Sequence, residues 1–344
     1  MRRLCRLSVV TVLATVVVAG THAAQIHELA LCGNAAGVKL LLADGVDPNL
    51  KDYTDSTPLH LAAQVGSIDT CEALLDGGAD VNATNRMGST PLHLAAVGEN
   101  RGPTAALLLD RGARIDAGDG TGATPLHLVA REDQNLGVLR LLLDRGAPLN
   151  AADAGGATPL MRAVEGGVMA TQCVEELLRR RADVRAGDKQ LRTALHVAAQ
   201  QDSHRMAVKL IQAGAAVDAA DRAGHTPLHE ARGRNVAKVL IQHGADVNTR
   251  TARGATPLHW ACSFEGGDKV AEAVLFGRPD INARDKDGAT PLHWAVLYEQ
   301  VTTAGLLLRR RADVNARDNE GRTPLAIAQT DEMTALLLRY RAAR

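Results

Sequence analysis

The sequence predicts an all-α repeat protein built from stacked pairs of short helices. The phrase Thr-Pro-Leu-His, or a close variant, occurs nine times with starts that lie 30 to 35 residues apart. A second phrase, Ala-Asp-Val-Asn or a variant, follows near the end of most periods. Only 2% of the 344 residues are aromatic. We therefore expect a core of small aliphatic side chains that pack in short, regular layers.

The starts of the repeated phrase define the register of the chain. Complete copies begin at Thr57, Thr90, Thr124, Thr226, Thr256 and Thr290, and degenerate copies begin at Thr158, Thr193 and Thr323. Self-similarity at such a fixed period is the sequence signature of a repeat architecture, in which each unit buries its apolar face only against its neighbours.

Residues 57–82 show why one period predicts two helices and a loop. Thr57 is a good N-cap, and Pro58 suits the first helical position because its missing N–H has no partner to lose there. Gly66 ends the first helix, and an amphipathic second helix follows it. Gly78 provides a left-handed stop, after which the chain runs through an extended loop to the next Thr-Pro.

The period and the phrase Thr-Pro-Leu-His-x-Ala resemble the ankyrin repeat. This resemblance covers residues 24–344 and implies a solenoid of helix-turn-helix units with β-hairpin-like finger loops and a concave groove. Residues 24–49 align with residues 57–82, and the unit that starts at Thr323 is shortened. We therefore expect about ten repeats in a single ankyrin repeat domain, of which the first and last are atypical caps.

Residues 1–23 are predicted to be a signal peptide. A cationic start, MRRLCR, precedes an apolar run at 7–20 and small residues near Ala23 and Ala24, where cleavage is expected. The apolar run is shorter than the roughly 20 residues of a membrane-spanning helix. The mature chain would then be periplasmic or secreted, and the Ala- and Arg-rich composition favours a bacterial source. An uncleaved membrane anchor and a start site placed too early remain as alternatives.

The composition does not favour nucleic acid or catalysis. Lys+Arg and Asp+Glu both number 39 and are interspersed, so no basic stripe is present for nucleic acid. The repeated histidines are interpreted as structural, because packed helices about 8–10 Å apart cannot share a zinc ion. Cys262 is read as a small core residue. The sequence shows no catalytic set, phosphate-binding loop or zinc motif, so we expect a non-catalytic protein without a cofactor.

Two matched segments, TPLHWACSF and TPLHWAVLY, contain four of the seven aromatic residues of the chain. Trp260 and Phe264 lie four residues apart in the first segment, as do Trp294 and Tyr298 in the second. That spacing predicts each pair on one helix face, and stacking would bring the pairs together. Clustered aromatic rings are typical anchors at protein interfaces. The alternative is that both tryptophans simply cover the edge of the core.

Residues on the finger loops complete the predicted binding surface. Arg253, Arg284 and Lys286 are expected to form a basic rim beside the aromatic rings, and Tyr53 is a separate, weaker candidate. The resemblance implies a monomeric scaffold that binds a partner protein through its groove and fingers, with little loss of loop entropy on docking. Two alternatives remain: an accessory subunit that positions or protects an enzyme, or an exported effector that acts on host proteins.

Overall fold

A computed structural model describes residues 22–98 and 101–342 of the chain. The chain forms two compact units, Met1–Arg162 and Ala163–Arg344. Most of the predicted signal peptide, residues 1–21, lies outside the described residues. The proposal that residues 24–344 form one repeat domain stays a prediction.

The described part of the first unit consists of short helices in consecutive pairs. They are α1 (His22–Leu31), α2 (Ala35–Ala43), α3 (Pro58–Val65), α4 (Ile68–Asp76), α5 (Pro91–Val97), α6 (Arg101–Asp110), α7 (Pro125–Val129) and α8 (Leu136–Asp144), followed by α9 (Pro159–Glu165), which begins in this unit and ends in the next. A short 3-10 helix, Asp133–Asn135, precedes α8.

The second unit continues the alternation. Its helices are α10 (Thr171–Arg179), α11 (Ala194–Gln200), α12 (His204–Gln212), α13 (Pro227–Glu230), α14 (Arg234–Gln242), α15 (Pro257–Ala261), α16 (Asp268–Phe276), α17 (Pro291–Leu297), α18 (Val301–Arg309), α19 (Pro324–Ile327) and α20 (Asp331–Ala342). A 3-10 helix, Gly167–Ala170, precedes α10.

The all-α class predicted from the sequence is confirmed. In residues 22–98 and 101–342 the structure contains twenty α-helices and no β-sheet, and one isolated bridge joins Gly187 to Thr193. The fingers are therefore tight turns rather than strands. Residues 231–233 separate α13 from α14. None of the described helices has both the length and the apolarity needed to cross a membrane.

Each repeated histidine bonds its helix to the loop that follows, which agrees with the structural role inferred from the sequence. The Thr256 N–H donates to His259 Nδ1 over 3.1 Å, and the Thr256 hydroxyl lies 2.9 Å from the same nitrogen. His259 Nε2 lies 3.1 Å from the carbonyl oxygen of Ala289, one repeat later. Because Nδ1 accepts a backbone N–H, Nε2 must carry the proton that it donates to this carbonyl. Burial lowers the pKa of His259 to about 4, which keeps the ring neutral.

Most fingers are closed by one aspartate side chain, as the finger of Asp285 shows. The Asp285 Oδ1 oxygen accepts the backbone N–H groups of Asp287 at 3.0 Å and Ala289 at 2.8 Å. Neighbouring fingers are joined by a backbone hydrogen bond, for example from the Lys286 N–H to the Arg253 carbonyl at 2.9 Å. The same aspartate-closed turn occurs at Asp52, Asp119, Asp153, Asp188, Asp221 and Asp318. The turn fixes the finger relative to the helix that follows it.

Candidate partner-binding surface

Four rings follow one another across three repeats of the second unit. We call His225, Trp260, Trp294 and Tyr298 the aromatic row. Successive ring centroids lie 4.6 Å, 6.1 Å and 5.9 Å apart, and the two indoles meet at 60°. Edge-to-face pairs at such separations stabilise each other beyond the area they bury. The structure thus brings together three of the four aromatic residues that the sequence singled out.

The register of the repeat explains why the two indoles meet. Trp260 and Trp294 each follow the histidine of the repeated phrase, at equivalent positions of α15 and α17. The residue nine positions earlier lies in the preceding finger, and it is Asp285 for Trp294 and Thr251 for Trp260. Both tryptophan side chains are half-buried.

The indole of Trp294 is held by its finger. Its Nε1 donates to the Asp285 Oδ2 oxygen over 2.8 Å, while the other oxygen of the same carboxylate closes the turn. A carboxylate acceptor makes this a charge-assisted hydrogen bond, which is stronger than a neutral one. The same nine-residue register pairs Arg162 with Asp153 in the first unit.

The indole of Trp260 has no such support. Its Nε1 is buried and makes no hydrogen bond in the structure. Thr251, at the position of the finger aspartate, is 7% exposed and has no carboxylate to offer. A buried donor without an acceptor costs about 1–3 kcal/mol. The Trp260 indole is therefore placed by ring packing alone, against His225 on one side and Trp294 on the other.

Phe264 does not join the aromatic row, and the expectation that it lies on one helix face with Trp260 is wrong. Helix α15 ends at Ala261, so the four-residue helical spacing does not apply to Phe264. Its ring lies instead under the guanidinium of Arg232, 4.5 Å from the ring centroid. This is a cation–π contact between neighbouring repeats.

Tyr298 forms the exposed end of the aromatic row. Helix α17 continues to Leu297, and Tyr298 follows it as the C-terminal cap, so the helical spacing from Trp294 is nearly preserved. The side chain of Tyr298 is 46% exposed and that of Leu297 is 52% exposed. These two side chains leave apolar surface open to solvent beside the indoles.

The basic residues predicted for the rim lie on exposed fingers. Arg253, Arg284 and Lys286 are all exposed. The Arg284 guanidinium lies 3.4 Å from the side-chain oxygen of Asn319 on the next finger. Arg250, which the sequence reasoning missed, donates to the Arg284 carbonyl over 2.7 Å and so braces this finger.

Tyr53 lies in the first unit, on the first finger, and is separate from the aromatic row. Its side chain is 86% exposed, which makes it the most exposed large apolar side chain among the described residues. Its exposed position on a finger fits a contact with a partner.

An acidic cluster beside the aromatic row was missed by the sequence reasoning. His225 Nδ1 lies 3.5 Å from Asp221 Oδ2 and 3.3 Å from Glu230 Oε1. The hydrogen bond with Glu230 raises the pKa of His225, and the same bond lowers the pKa of Glu230. The sequence did contain a signal for this cluster, because two of its residues depart from the repeat pattern. His225 stands where four other repeats have alanine, and Glu230 stands where several have leucine.

Cys262 packs in the core, in line with its interpretation from the sequence. Its side chain is 0% exposed, and burial raises the pKa of its thiol. A buried neutral thiol is a poor nucleophile, because the thiolate is the reactive form. The other described cysteines are Cys32, Cys71 and Cys173, and all are thiols in the structure.

The comparison with protein families gives one result across nearly the whole described chain. A family model described as ankyrin repeats (three copies) matches residues 26–119, 100–188, 167–251, 195–285 and 258–343. This agrees with the resemblance carried by the repeated phrase. No curated protein matches the chain.

Proposed function

The chain belongs to the ankyrin repeat family, and on that premise we propose that it binds a partner protein through the aromatic row and the adjacent fingers. Ankyrin repeats are in general protein–protein interaction modules and are typically non-catalytic. The proposal assigns the chain a scaffold role as a monomer, with no enzymatic activity of its own and no role in binding nucleic acid.

The observation that carries this proposal is the placement of the two tryptophans. They are the only tryptophans in the chain, and the structure sets their rings 6.1 Å apart in adjacent repeats. Equivalent positions in other repeats hold aliphatic residues such as Leu94 and Leu128, so the repeat does not need a large ring at this position. Tryptophan and tyrosine are enriched among the residues that dominate binding energy at interfaces.

The exposed charges suggest what the partner offers. Arg253 and Lys286 lie on adjacent fingers, joined by the backbone hydrogen bond described above. A partner segment that places an apolar side chain against the aromatic row and carboxylates near Arg253 and Lys286 would match both the rings and the charges. Complementary charges of this kind mainly raise the association rate and select the partner.

The proposal is tested by affinity capture with the full chain, followed by binding measurements on the retained protein. The test variant combines Trp260→Leu with Tyr298→Ala, because leucine is the residue that other repeats use at the tryptophan position. We expect affinity to fall at least about tenfold, as for the loss of an interface anchor, with helical content unchanged.

A matched control separates binding from folding. Phe276→Ala removes an aromatic side chain of the second unit that is 85% exposed and lies at the end of α16, outside the aromatic row, and it should leave affinity unchanged if the partner occupies the aromatic row. Unchanged affinity in the Trp260→Leu, Tyr298→Ala variant would contradict the proposal. A loss of affinity that merely parallels a loss of unfolding free energy would assign the tryptophans to the core instead.

We also propose that the mature chain lies outside the cytoplasm, on the evidence of residues 1–23 alone. Fractionation of cells that express the full chain, with mass analysis of its amino terminus, tests this. A soluble periplasmic or secreted form that begins at Ala24 or Gln25 is expected. An intact chain in the membrane fraction would favour the uncleaved anchor, and an intact cytoplasmic chain would contradict both.

A further inference from the structure

Two finger aspartates of the second unit pair with an arginine from their own repeat. Asp188 Oδ2 lies 3.1 Å from the Arg192 guanidinium, and Asp318 Oδ2 lies 2.8 Å from that of Arg322. In both cases the arginine is four residues after the aspartate and directly precedes the Thr of the repeated phrase. In the finger of Asp221 that position holds a histidine, so a permanent cation is replaced by an imidazole.

The same repeat adds a second acid. Glu230 occupies the helix position where other repeats place leucine or tryptophan, and its Oε1 lies 3.3 Å from His225 Nδ1. Two carboxylates thus converge on one imidazole nitrogen. The three side chains are between 10% and 18% exposed, so water and small ions can reach them. With a neutral imidazole the cluster carries two negative charges, whereas the aspartate–arginine pairs are neutral.

The spacing of the three ligand atoms fits a small cation. A tetrahedral ion with bonds of about 2.1 Å holds neighbouring ligand atoms about 3.4 Å apart. The two distances from the imidazole nitrogen are 3.3 Å and 3.5 Å, and all three atoms lie within 4.8 Å of one another. From this geometry we propose that Asp221, His225 and Glu230 bind a divalent transition-metal cation, with Zn²⁺ as the reference ion.

The ligand types select the class of metal. One imidazole nitrogen with two carboxylate oxygens suits Zn²⁺ and its neighbours, whereas Mg²⁺ prefers an all-oxygen octahedral shell. Three protein ligands leave a fourth position for water or for a donor from a partner. This inference goes beyond the proposed partner binding and does not depend on it.

Trp260 lies beside the cluster, so its fluorescence should report metal binding. The Trp260 ring meets the His225 ring edge-on, with centroids 4.6 Å apart at 72°. Arg232 lies near Glu230 and is held over the Phe264 ring. Because both tryptophans of the chain belong to the aromatic row, a metal at His225 should change the tryptophan emission directly.

The experiment titrates the full chain with ZnCl₂ and measures binding by competition with a chromogenic chelator and by tryptophan emission. We expect an emission change that saturates at one equivalent of Zn²⁺. Trp260→Phe should abolish most of this change while leaving the chelator-measured affinity unchanged. Millimolar MgCl₂ should leave the emission unaltered, and an equal response to Mg²⁺ would overturn the assignment of a nitrogen–oxygen site.

Two variants copy residues that other repeats tolerate and so should fold. His225→Ala reproduces Ala255 and Ala289, and Glu230→Leu reproduces the leucines of the first unit. Loss of an outer-shell partner weakens metal binding by about 10–100-fold, so loss of a direct ligand should weaken it at least tenfold. Asp188→Asn, which alters the neighbouring aspartate–arginine finger, should leave the Zn²⁺ affinity unchanged.

The outcomes are distinct. Tenfold or greater weakening in both ligand variants, with native helical content and an unaffected control, supports the site. No emission change in the wild-type chain and no competition with the chelator at a large molar excess of Zn²⁺ overturns it. Equal affinity in wild type and in both variants also overturns it, because the metal would then be held by other residues.

Discussion

Helices α15 and α17 begin with the same phrase, Thr-Pro-Leu-His-Trp-Ala, yet their tryptophans are held in different ways. The Trp294 Nε1 has a carboxylate acceptor on its finger, whereas the Trp260 Nε1 is buried without a partner. The cause is a single residue nine positions earlier, Asp285 in one repeat and Thr251 in the other. Identical helix sequences therefore do not imply identical support, because the finger supplies the partner.

The ends of the two helices differ as well. Residues 298–300 connect α17 to α18, whereas the longer segment 262–267 connects α15 to α16. The short connection keeps the Tyr298 ring next to Trp294, whereas the longer connection places the Phe264 ring against Arg232. The turn that follows a helix thus decides whether the next ring extends the aromatic row.

The largest expected effect comes from breaking the longer connection. A Cβ on Gly267 would lie 2.0 Å from the carbonyl oxygen of Ala261, where backbone atoms cannot give way. Gly267→Ala should lower the free energy of unfolding by at least about 2 kcal/mol through steric overlap. Urea unfolding followed by tryptophan emission measures this locally. Gln300→Ala, at the equivalent cap of α18, is the control, and an equal loss there would contradict the explanation.

The second largest effect is expected from a variant that leaves the Trp294 indole without a hydrogen-bond acceptor, as the Trp260 indole is. Asp285→Ala deletes the acceptor of the Trp294 indole together with the two backbone bonds that close the finger. The cost should be about 2–3 kcal/mol of unfolding free energy, since several donors lose their partner. Asp287→Ala, on the same exposed finger, should change it by less than about 0.5 kcal/mol. Similar losses in both variants would show that Asp285 contributes no more to stability than an exposed residue of the same finger.

The histidine beneath the Trp294 ring predicts a pH dependence. His259 has a folded pKa of about 4, lowered by burial, against 6.5 when unfolded. Its contribution is therefore present above pH 6.5 and is lost as the pH falls toward 4. Between pH 7 and pH 5 the loss should be about 2 kcal/mol.

A natural repeat supplies the control for this pH effect. Met161 takes the place of the repeated histidine in its own repeat, where it is 2% exposed. His259→Met should reduce the change in unfolding free energy between pH 7 and pH 5 by about 2 kcal/mol, while the other repeated histidines, whose pKa values burial also lowers, keep the rest of the pH dependence. The variant also lowers stability at pH 7 by removing the cap. The same slope in this variant and in the wild type would rule out His259 as its source.

The smallest expected effect is an increase in the free energy of unfolding. Thr251→Asp should give the Trp260 indole the acceptor that Asp285 gives Trp294, and it should close the finger through the N–H groups of Arg253 and Ala255. We expect about 1 kcal/mol of added stability and a shift in tryptophan emission. Thr251→Val, which has the same shape without an acceptor, should show no gain, and a gain in both would point to burial instead.

The parts of the fold that the sequence predicted depend on contacts within one repeat. Thr256 and Pro257 start a helix through local capping, and His259 is placed to receive the Thr256 N–H three residues away. The end of the same helix was misjudged at Phe264, because the local pattern does not reveal where the chain turns toward Asp268. The acidic cluster was missed because the substitutions to His225 and Glu230 do not by themselves show that the finger turn brings both side chains to Asp221.

The sequence by itself determined the period, the all-α class, the starts of the first helices and the structural role of the histidines. These features follow from capping, proline and glycine preferences, and apolar spacing, all of which act over a few residues. Only the tertiary structure decided that Trp260 meets His225 and Trp294, that Phe264 leaves the row, and that Glu230 reaches His225. The ring contacts depend on how neighbouring repeats stack, since they join residues 34 or 35 positions apart. Glu230 and His225 lie only five positions apart, and they meet because the finger turn is followed directly by the helix.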